Sequence, residues 1–546
     1  MAKYTGISTR RFGFWPRFLR EFIMKEKLQT MRIWSVPYCY ASAVMLLCLL
    51  PIWGMAANDY ELHYVVGLDT AGHYLNVQLN YESKVAQQEV VLNMPVWSPG
   101  HYQIQDYPKH LCDFSARDSK GQPTTWQKEG KNRWRIFIPS DGKVVVNYRV
   151  YSNNPYLLNV EHCQVMSDIA FVSPTMVFMH VDGDLLHPVE VTYISPDNWS
   201  HISSGLRPQA DSPYHFIVKD FDTLYDSPLM FGNFYNKKFI HEGHEYEFAV
   251  EVPDSLEESN FEEDFKRIVT ATTQLMGDVP YDNYALLSLR EGYAGLEHFN
   301  SQASPFDVAY SLQSRENYYN LLDYVAHEYF HVYNVKCIRP AELWPIDYNK
   351  EAFTPMLWVS EGLTCYYSHR LLLNSGLITP EEYLELFSND LRSYVFSEGQ
   401  HHMSLRQSSY DIWLQEMSNT DDNVWDVCIS YYKKGPIMGL LLDIDIRQKT
   451  DGQRSLDDVM RLLYNRYYRE LQRGFTEEEF WSLTEEVAGQ SMQTIRRLVD
   501  TTDEIDYAHW LDAAGLYIDY DSRSIRRVEK PTRTQKKMLK ALLLLP

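Results

Sequence analysis

The segment HEYFH, residues 327–331, places two histidines four residues apart with a glutamate beside the first. Because no proline or glycine interrupts residues 311–336, this segment is predicted to be helical, and residues four apart then project from one face. His327 and His331 could therefore bind one Zn²⁺ at about 2.0–2.1 Å each. Glu328 would reach a water on the metal rather than the metal itself. The alternative is a helix whose histidines are merely packed.

A catalytic zinc site of this kind needs a third protein ligand and an open fourth position. Glu361 follows in the apolar segment LWVSEGLTCYY, on a helix predicted to begin at Thr354 and Pro355 and to end at Gly376. A carboxylate in so apolar a run is costly to bury unless it is paired or binds a metal. We therefore expect Glu361 to be the third ligand, in preference to a glutamate on a solvated helix face.

Several further segments, taken together and in order, resemble those of a known protein family. HEYFHVYNVKCIRP and WVSEGLT are accompanied by MPVWSPGHYQIQDYPKHL, GLEHFNS and ISYYKKG. From about residue 60 to 520 the sequence resembles the glycyl aminopeptidase family of gluzincins, which are exported zinc peptidases distantly related to aminopeptidase N. The resemblance implies that His327, His331 and Glu361 bind one Zn²⁺ and that Glu328 is the general base.

The resemblance also implies residues that contact the substrate. The segment GLEH is similar to the loop that receives the free amine of a peptide in aminopeptidases, and it comprises Gly295, Leu296, Glu297 and His298. Glu297 is the expected partner of the ammonium group. A carboxylate that binds the terminal amine would fix the distance from the chain end to the cleaved bond at one residue. The enzyme would then be an exopeptidase.

A tyrosine completes the expected site. Tyr432 resembles the tyrosine that donates a hydrogen bond to the tetrahedral intermediate, and Tyr431 is the alternative. A phenol remains protonated at neutral pH and can stabilise a developing oxyanion. Two positions depart from the family, which usually has tryptophan and arginine in place of Tyr333 and Cys337. A carboxy-terminal PDZ module, common in the family, is not expected here.

The strand and helix patterns predict a multidomain α+β protein. Residues 58–237 alternate short β-branched or aromatic runs with turn residues, which is typical of an antiparallel β-sandwich. Residues 238–400 are expected to form a thermolysin-like α/β zinc peptidase domain, and residues 401–522 its helical carboxy-terminal part. Residues 523–546 are a basic tail, expected to be a frayed or amphipathic terminus.

The amino-terminal residues 1–57 are expected to be a leader, and the true start could be Met31. The apolar run that ends at Ala57 is shorter than the roughly 20 residues of a spanning helix, so we expect export with cleavage near Ala56 or Ala57. The alternative is an uncleaved anchor, which would be the only contact with a membrane. Cys112 and Cys163 could pair, since both lie in the β-rich region.

Charge and composition limit the function further. The net charge of -22 and a pI near 5.3 argue against nucleic-acid binding, because phosphate recognition needs clustered cations. The site residues and the resemblance together lead us to expect an exported zinc aminopeptidase that acts on peptides with free amino termini, and the resemblance implies a preference for small residues such as glycine or alanine. The alternatives are a zinc endopeptidase and a catalytically vestigial peptide-binding protein. The oligomeric state is left open.

Overall fold

Strands with alternating buried and exposed side chains build the amino-terminal part of the protein, as in β1, where every second residue from Tyr60 to Val66 is buried. The computed structural model describes residues 59–153, 160–253, 256–290, 294–395, 397–414 and 424–545, with backbone alone at 424 and 425. The expected leader, residues 1–57, lies outside these ranges. The elements of this part are β1 (Tyr60–Asp69), β2 (Tyr74–Ser83), β3 (Glu89–Asn93), β4 (Leu111–Arg117), β5 (Trp126–Lys128), β6 (Arg133–Phe137), β7 (Lys143–Tyr151), β8 (Gln164–Val165), β9 (Ile169–Val172), β10 (His180–Val181), β11 (Val189–Ile194), β12 (His201–Ser204), β13 (His215–Val218), α1 (Phe221–Tyr225) and β14 (Leu229–Gly232).

These strands form three sheets. One has the order β13-β11-β1-β2-β7-β4, the second β10-β3-β6-β5, and the third β12-β14-β9-β8. The first two sheets pack through aromatic side chains, since the Phe114 ring of β4 stacks 5.6 Å from that of Trp134 in β6. The pairing is antiparallel except between β1 and β11, which run parallel. Cys112 and Cys163 are both free thiols.

A five-stranded sheet follows, in the order β15-β16-β17-β19-β18. Its strands are β15 (Tyr235–His241), β16 (His244–Val250), β17 (Asn283–Ser288), β18 (Leu296–His298) and β19 (Ser301–Ala303), with α2 (Phe261–Met276) between β16 and β17. The short strand β18 pairs antiparallel with β19 and forms one edge of the sheet. The segment GLEH therefore lies at a sheet edge, where its backbone can face a cleft.

The remainder is mainly helical, with α3 (Val308–Ser311), α4 (Arg315–Phe330), α5 (Leu363–Asn374), α6 (Pro380–Val395), α7 (Leu405–Tyr410), α8 (Val424–Val427), α9 (Tyr431–Lys449), α10 (Leu456–Leu463), α11 (Glu477–Ala488), α12 (Gln493–Asp500), α13 (Tyr507–Ala513), β20 (Leu516–Asp519), β21 (Ser524–Arg527) and α14 (Arg533–Leu543). Segments Trp358–Gly362 and Tyr464–Leu471 are π-helical. The predicted α+β class is confirmed. None of the described helices is long and apolar enough to cross a bilayer.

The basic tail is an ordered part of this region. Helix α14 begins with a capping box formed by Thr532 and Gln535, and it buries an apolar face that includes Leu539 and Leu542. A guanidinium N–H of Arg370 in α5 donates to the Leu542 carbonyl. The tail is therefore an amphipathic helix that packs against the helical core.

The π-helical segment and α9 cross at two glycines. A Cβ atom on Gly362 would lie 2.6 Å from Gly435 Cα, and one on Gly435 would lie 2.5 Å from Gly362 Cα. Both distances are shorter than carbon atoms allow, so the two backbones touch directly. Because Gly362 follows Glu361 and Gly435 lies one turn after Tyr432, this contact sets the spacing between two expected site residues.

We expect Gly435→Ala to destabilise the protein by about 1–3 kcal/mol, because overpacking forces the two segments apart. In an open helix the same substitution would stabilise the protein by about 1 kcal/mol. The sign of the change in unfolding free energy therefore shows whether the two backbones are in contact. Urea unfolding measures the effect. Gly130→Ala is the control, since no atom lies within 4 Å of its added Cβ. A Gly435→Ala protein as stable as the control protein would contradict the contact.

Candidate active site

The three expected metal ligands meet in the structure. His327 Nε2 lies 3.0 Å from His331 Nε2, and Glu361 Oε2 lies 3.6 Å from the first and 3.3 Å from the second. His331 and Glu361 are buried, while His327 is half-buried and faces a cleft. Two imidazole nitrogens and one carboxylate oxygen are the donor set of a catalytic zinc site with three protein ligands. The residues present therefore fit zinc.

Hydrogen bonds orient both imidazoles. His331 Nδ1 lies 2.7 Å from the Asn334 carbonyl oxygen, so Nδ1 donates and Nε2 keeps its lone pair for a metal. His327 Nδ1 lies 3.5 Å from Cys365 Sγ. Burial raises the pKa of the Cys365 thiol well above its ordinary value, so this sulfur stays uncharged. The sequence did not indicate either partner.

The structure shifts two predicted helix ends. Helix α4 ends at Phe330, and His331 is its C-cap, with turns following up to Cys337. The next helical segment begins at Leu357, after two turn residues, and the Thr354 hydroxyl donates to Glu342 Oε2 while its oxygen accepts from the Met356 N–H at 3.2 Å. Neither shift separates the ligands. The π-helical turn that contains Glu361 widens the helix locally, as is frequent at functional sites.

Glu361 is held as a carboxylate. Burial would raise the pKa of Glu361, but the charge of His331 and hydrogen bonds from His327 and His331 outweigh it and lower the pKa below its usual range. Its second oxygen, Oε1, accepts a hydrogen bond from the Tyr102 hydroxyl at 3.2 Å. The two carboxylate oxygens of Glu361 are thus oriented differently: Oε2 faces the two histidines and Oε1 faces Tyr102.

Glu328 lies beside the ligands without binding them. Its carboxylate is buried, and Oε2 has no hydrogen-bond partner within the described part of the chain. Burial raises the pKa of Glu328 to about 8. A Cβ on Gly295 would overlap the Glu328 carboxylate, so the glycine of GLEH is needed to admit this side chain.

Glu297 projects into the cleft from the edge strand β18. Its carboxylate, that of Glu328 and a ring nitrogen of His331 all lie within 4.8 Å of one another. Glu297 is buried, its Oε1 has no hydrogen-bond partner in the ranges described, and its nearest cation is Lys336, with Nζ at 3.8 Å. Gly100 lies in the part of the chain that contains β1 to β14, residues 60–232, called the sheet domain below. It closes over Glu297, since a Cβ there would lie 2.5 Å from Glu297 Oε2.

The neighbours of Glu297 in GLEH point elsewhere. Successive residues of a strand face opposite sides, and neither Leu296 nor His298 lines the cleft. His298 Nδ1 instead lies 3.1 Å from Asp226 Oδ1, which also accepts from Lys336 Nζ at 2.9 Å. Neither side chain lines the cleft in this structure, and the expected contact of Leu296 and His298 with substrate stays a prediction.

The first turn of α9 supplies the tyrosines. Tyr432 lines the cleft, with its ring 6.2 Å from the His327 ring. Burial raises the pKa of Tyr432 well above its ordinary value, so the phenol keeps its proton. Tyr431 is fully buried and does not line the cleft. The structure thus brings Tyr432, rather than the alternative Tyr431, to the site.

A second cluster lines the cleft beyond His327. His369 of α5 lies 2.8 Å from Asp323 and 3.0 Å from Asp390, and Lys433 Nζ lies 3.3 Å from Asp390. Burial would lower the pKa of His369, but the two carboxylates raise it to about 10. Sequence reasoning missed this cluster. Its only local signals were the position of Asp323 four residues before His327 and of Lys433 next to Tyr432.

Fold and site together define a class. An α+β protein with a His-His-Glu metal site, a further buried glutamate and a cleft of about 490 Å³ is a zinc metallopeptidase. Residues 63–233 match the Peptidase M61 N-terminal domain and residues 320–438 match the M61 glycyl aminopeptidase domain. These matches cover more than half of the 546 residues. The chain belongs to the M61 glycyl aminopeptidase family.

Solved structures agree with this assignment. An aminopeptidase N family protein from Idiomarina loihiensis is 26% identical, with a TM-score of 0.77 over 83% of this chain and 78% of that chain. Two others share the fold. An M1 zinc metallopeptidase from Deinococcus radiodurans is 14% identical, with a TM-score of 0.50 over 82% of this chain and 94% of that chain. Aminopeptidase A from Legionella pneumophila is 13% identical, with a TM-score of 0.50 over 81% and 49%. No curated protein matches the sequence.

Removing the Tyr102 hydroxyl tests whether its hydrogen bond to Glu361 orients this metal ligand. We expect Tyr102→Phe to weaken zinc binding by about tenfold or more, because partners that orient a ligand typically contribute that much to metal affinity. Zinc competition against a chromogenic chelator measures the change. Tyr107→Phe is the control, since it removes a buried hydroxyl from the same loop that contacts Ser98 instead. Equal zinc affinities in the two variants would contradict this role.

Proposed function

We propose that the protein is an exported aminopeptidase that uses one Zn²⁺ to remove small amino-terminal residues from peptides. The observation that carries this function is the buried carboxylate of Glu297 next to the metal ligands. It has an oxygen with no hydrogen-bond partner in the described chain and faces the cleft. A peptide ammonium group would supply the missing donors.

The distance between this carboxylate and the metal site suits a single residue. Glu297 and His331 present ligand atoms within 4.8 Å of each other, and consecutive residues of a peptide are about 3.8 Å apart. An ammonium group on Glu297 therefore places the carbonyl of the same residue at the metal site. This geometry favours cleavage after the first residue over cleavage within a chain.

The wall near Glu297 supports a preference for small residues. Gly100 approaches the Glu297 carboxylate so closely that a single added carbon would overlap it, and a Cβ on Gly100 would also lie 2.6 Å from Leu296. Little space is left for a side chain on the bound residue. Glycine and alanine therefore fit best.

The chain's own residues divide the chemical work. Zn²⁺ bound by His327, His331 and Glu361 would supply Lewis acidity to the scissile carbonyl and to a water. Glu328 takes the proton of the attacking water on its unpaired Oε2 and delivers it to the leaving amine, since burial raises its pKa and makes the carboxylate a stronger base. The Tyr432 hydroxyl donates to the developing oxyanion.

Export is part of the proposed function and rests on the amino-terminal sequence. The run up to Ala57 is apolar, ends in small residues and is too short for an ordinary spanning helix. These residues lie outside the described ranges. Peptides outside the cytoplasm would then be the substrates.

Blocking the peptide amine tests the aminopeptidase assignment. We expect alanyl-peptides to be hydrolysed and their N-acetyl forms to react at least about 100-fold more slowly, since acetylation removes a charge-assisted hydrogen bond to Glu297 and adds atoms where Gly100 closes the cleft. Steady-state kcat/KM with both substrates measures the ratio. Glu297→Gln should reduce this discrimination. Equal cleavage of blocked peptides would show an endopeptidase instead.

The leader can be tested on the secreted protein. We expect the mature protein to begin at Ala57 or Asn58, because a signal peptidase cleaves after small residues. Amino-terminal sequencing of the full chain after expression in a secreting host gives the site. Leu47→Arg interrupts the apolar run and should keep the precursor inside the cell. A full-length product in the membrane fraction would show an uncleaved anchor.

A further inference from the structure

We propose that Lys433 determines specificity by binding the free carboxylate of a short peptide, so that dipeptides are preferred substrates. The inference rests on the proposed function, because it concerns the part of the cleft that holds the residue after the scissile bond. The cleft is the same one, but its cluster at Asp323, His369, Asp390 and Lys433 is used neither by the metal site nor by the amine partner.

The position of the cluster assigns it to the leaving part of the substrate. Glu297 lies on β18, close to His331 and Glu328. Asp323 lies one helical turn before His327 on α4, so it is displaced from the metal site along the helix in the direction away from His331. A peptide whose amine binds Glu297 therefore extends past His327 toward Asp323 and its partners.

The charges of the cluster form a chain. The imidazole of His369 contacts a carboxylate on each side, Asp323 at 2.8 Å and Asp390 at 3.0 Å. The second oxygen of Asp390 contacts the Lys433 ammonium at 3.3 Å. Two carboxylates thus accompany two cationic side chains, and both oxygens of Asp390 are already engaged.

Exposure shows which charge is presented to the cleft. The side chains of His369 and Asp390 are 7% and 8% exposed, and that of Asp323 is 20% exposed, whereas that of Lys433 is 48% exposed. An ammonium group has three donors, and Asp390 is its one ion-pair partner in the described chain. The group most available to a ligand is therefore the ammonium of Lys433.

Helix α9 adds to this preference. Lys433 lies in its first turn, and the 19-residue helix begins at Tyr431 with its amino terminus at the cleft. The amino terminus of a helix carries a partial positive charge that favours anions. Lys433 and the helix end therefore both favour a carboxylate, which a dipeptide presents on the residue after its only peptide bond.

Binding measurements test the inference without turnover. The zinc-loaded Glu328→Gln protein lacks the proposed base, so a substrate should survive in the cleft. Calorimetry would compare Gly-Ala with its amide, Gly-Ala-NH₂. We expect the free acid to bind about tenfold more tightly, which is the order of one charge-assisted hydrogen bond at a partly exposed site. Adding Lys433→Met should reduce the ratio of the two dissociation constants to about one.

The matched control is Lys84→Met in the same background. Lys84 is also 48% exposed and pairs with one carboxylate, Glu61 at 2.7 Å, but it lies in the sheet domain. Lys84→Met should leave the ratio of the dissociation constants for Gly-Ala-NH₂ and Gly-Ala unchanged. In the otherwise unmodified enzyme, the kcat/KM ratio for the two substrates should fall about tenfold on Lys433→Met and not on Lys84→Met.

The outcomes separate this inference from the proposed function. Tighter binding of the acid that depends on Lys433 supports the inference, even if no peptide is hydrolysed and the aminopeptidase assignment fails. Equal binding of acid and amide, or a preference for the acid that survives Lys433→Met, overturns it. Tighter binding of the amide, or of Gly-Lys over Gly-Ala, would show that Asp323 presents the dominant charge, and would also overturn it.

Discussion

The buried side chain of Asn334 holds the metal site together. Its amide donates to the carbonyl oxygens of Val359 at 2.7 Å and Ser360 at 3.2 Å, just before Glu361. The backbone carbonyl of the same residue accepts from His331 Nδ1 at 2.7 Å. One residue therefore orients a histidine ligand and secures the turn that carries the glutamate ligand. These bonds join the end of α4 directly to the π-helical turn, and both are irregular backbone.

The rest of the site is built around that pair of segments by residues far away in the chain. The sheet domain contributes the loop from Trp97 to Tyr107, which is anchored when Trp97 Nε1 donates to the Asp347 carbonyl at 2.9 Å. From this loop Gly100 closes one end of the cleft and Tyr102 bonds to Glu361. The sheet domain is therefore part of the active site, because it both bounds the space for the substrate and orients a metal ligand.

Some of this organisation follows from local patterns. The spacing of His327 and His331 and the apolar surroundings of Glu361 were enough to predict three converging ligands, because one helical turn separates the histidines and burial makes an isolated carboxylate costly. The alternation of short β-branched or aromatic runs with turn residues in residues 58–237 predicted strands, and the α+β class is confirmed. The parallel pairing of β1 with β11 was not predictable, since alternation is the same in parallel and antiparallel strands. The sequence did not indicate that Leu296 and His298 are buried away from the cleft, because GLEH was read as a loop rather than as an edge strand.

The sequence by itself determined which residues can bind a metal and on which face they lie, since both depend on helical periodicity over a few residues. Only the tertiary structure decided what surrounds them. The contact of Gly362 with Gly435, the bond from Tyr102 to Glu361 and the chain of charges that ends at Lys433 each join segments that are far apart in the sequence. Such contacts depend on how the elements pack, and local periodicity carries no information about that packing.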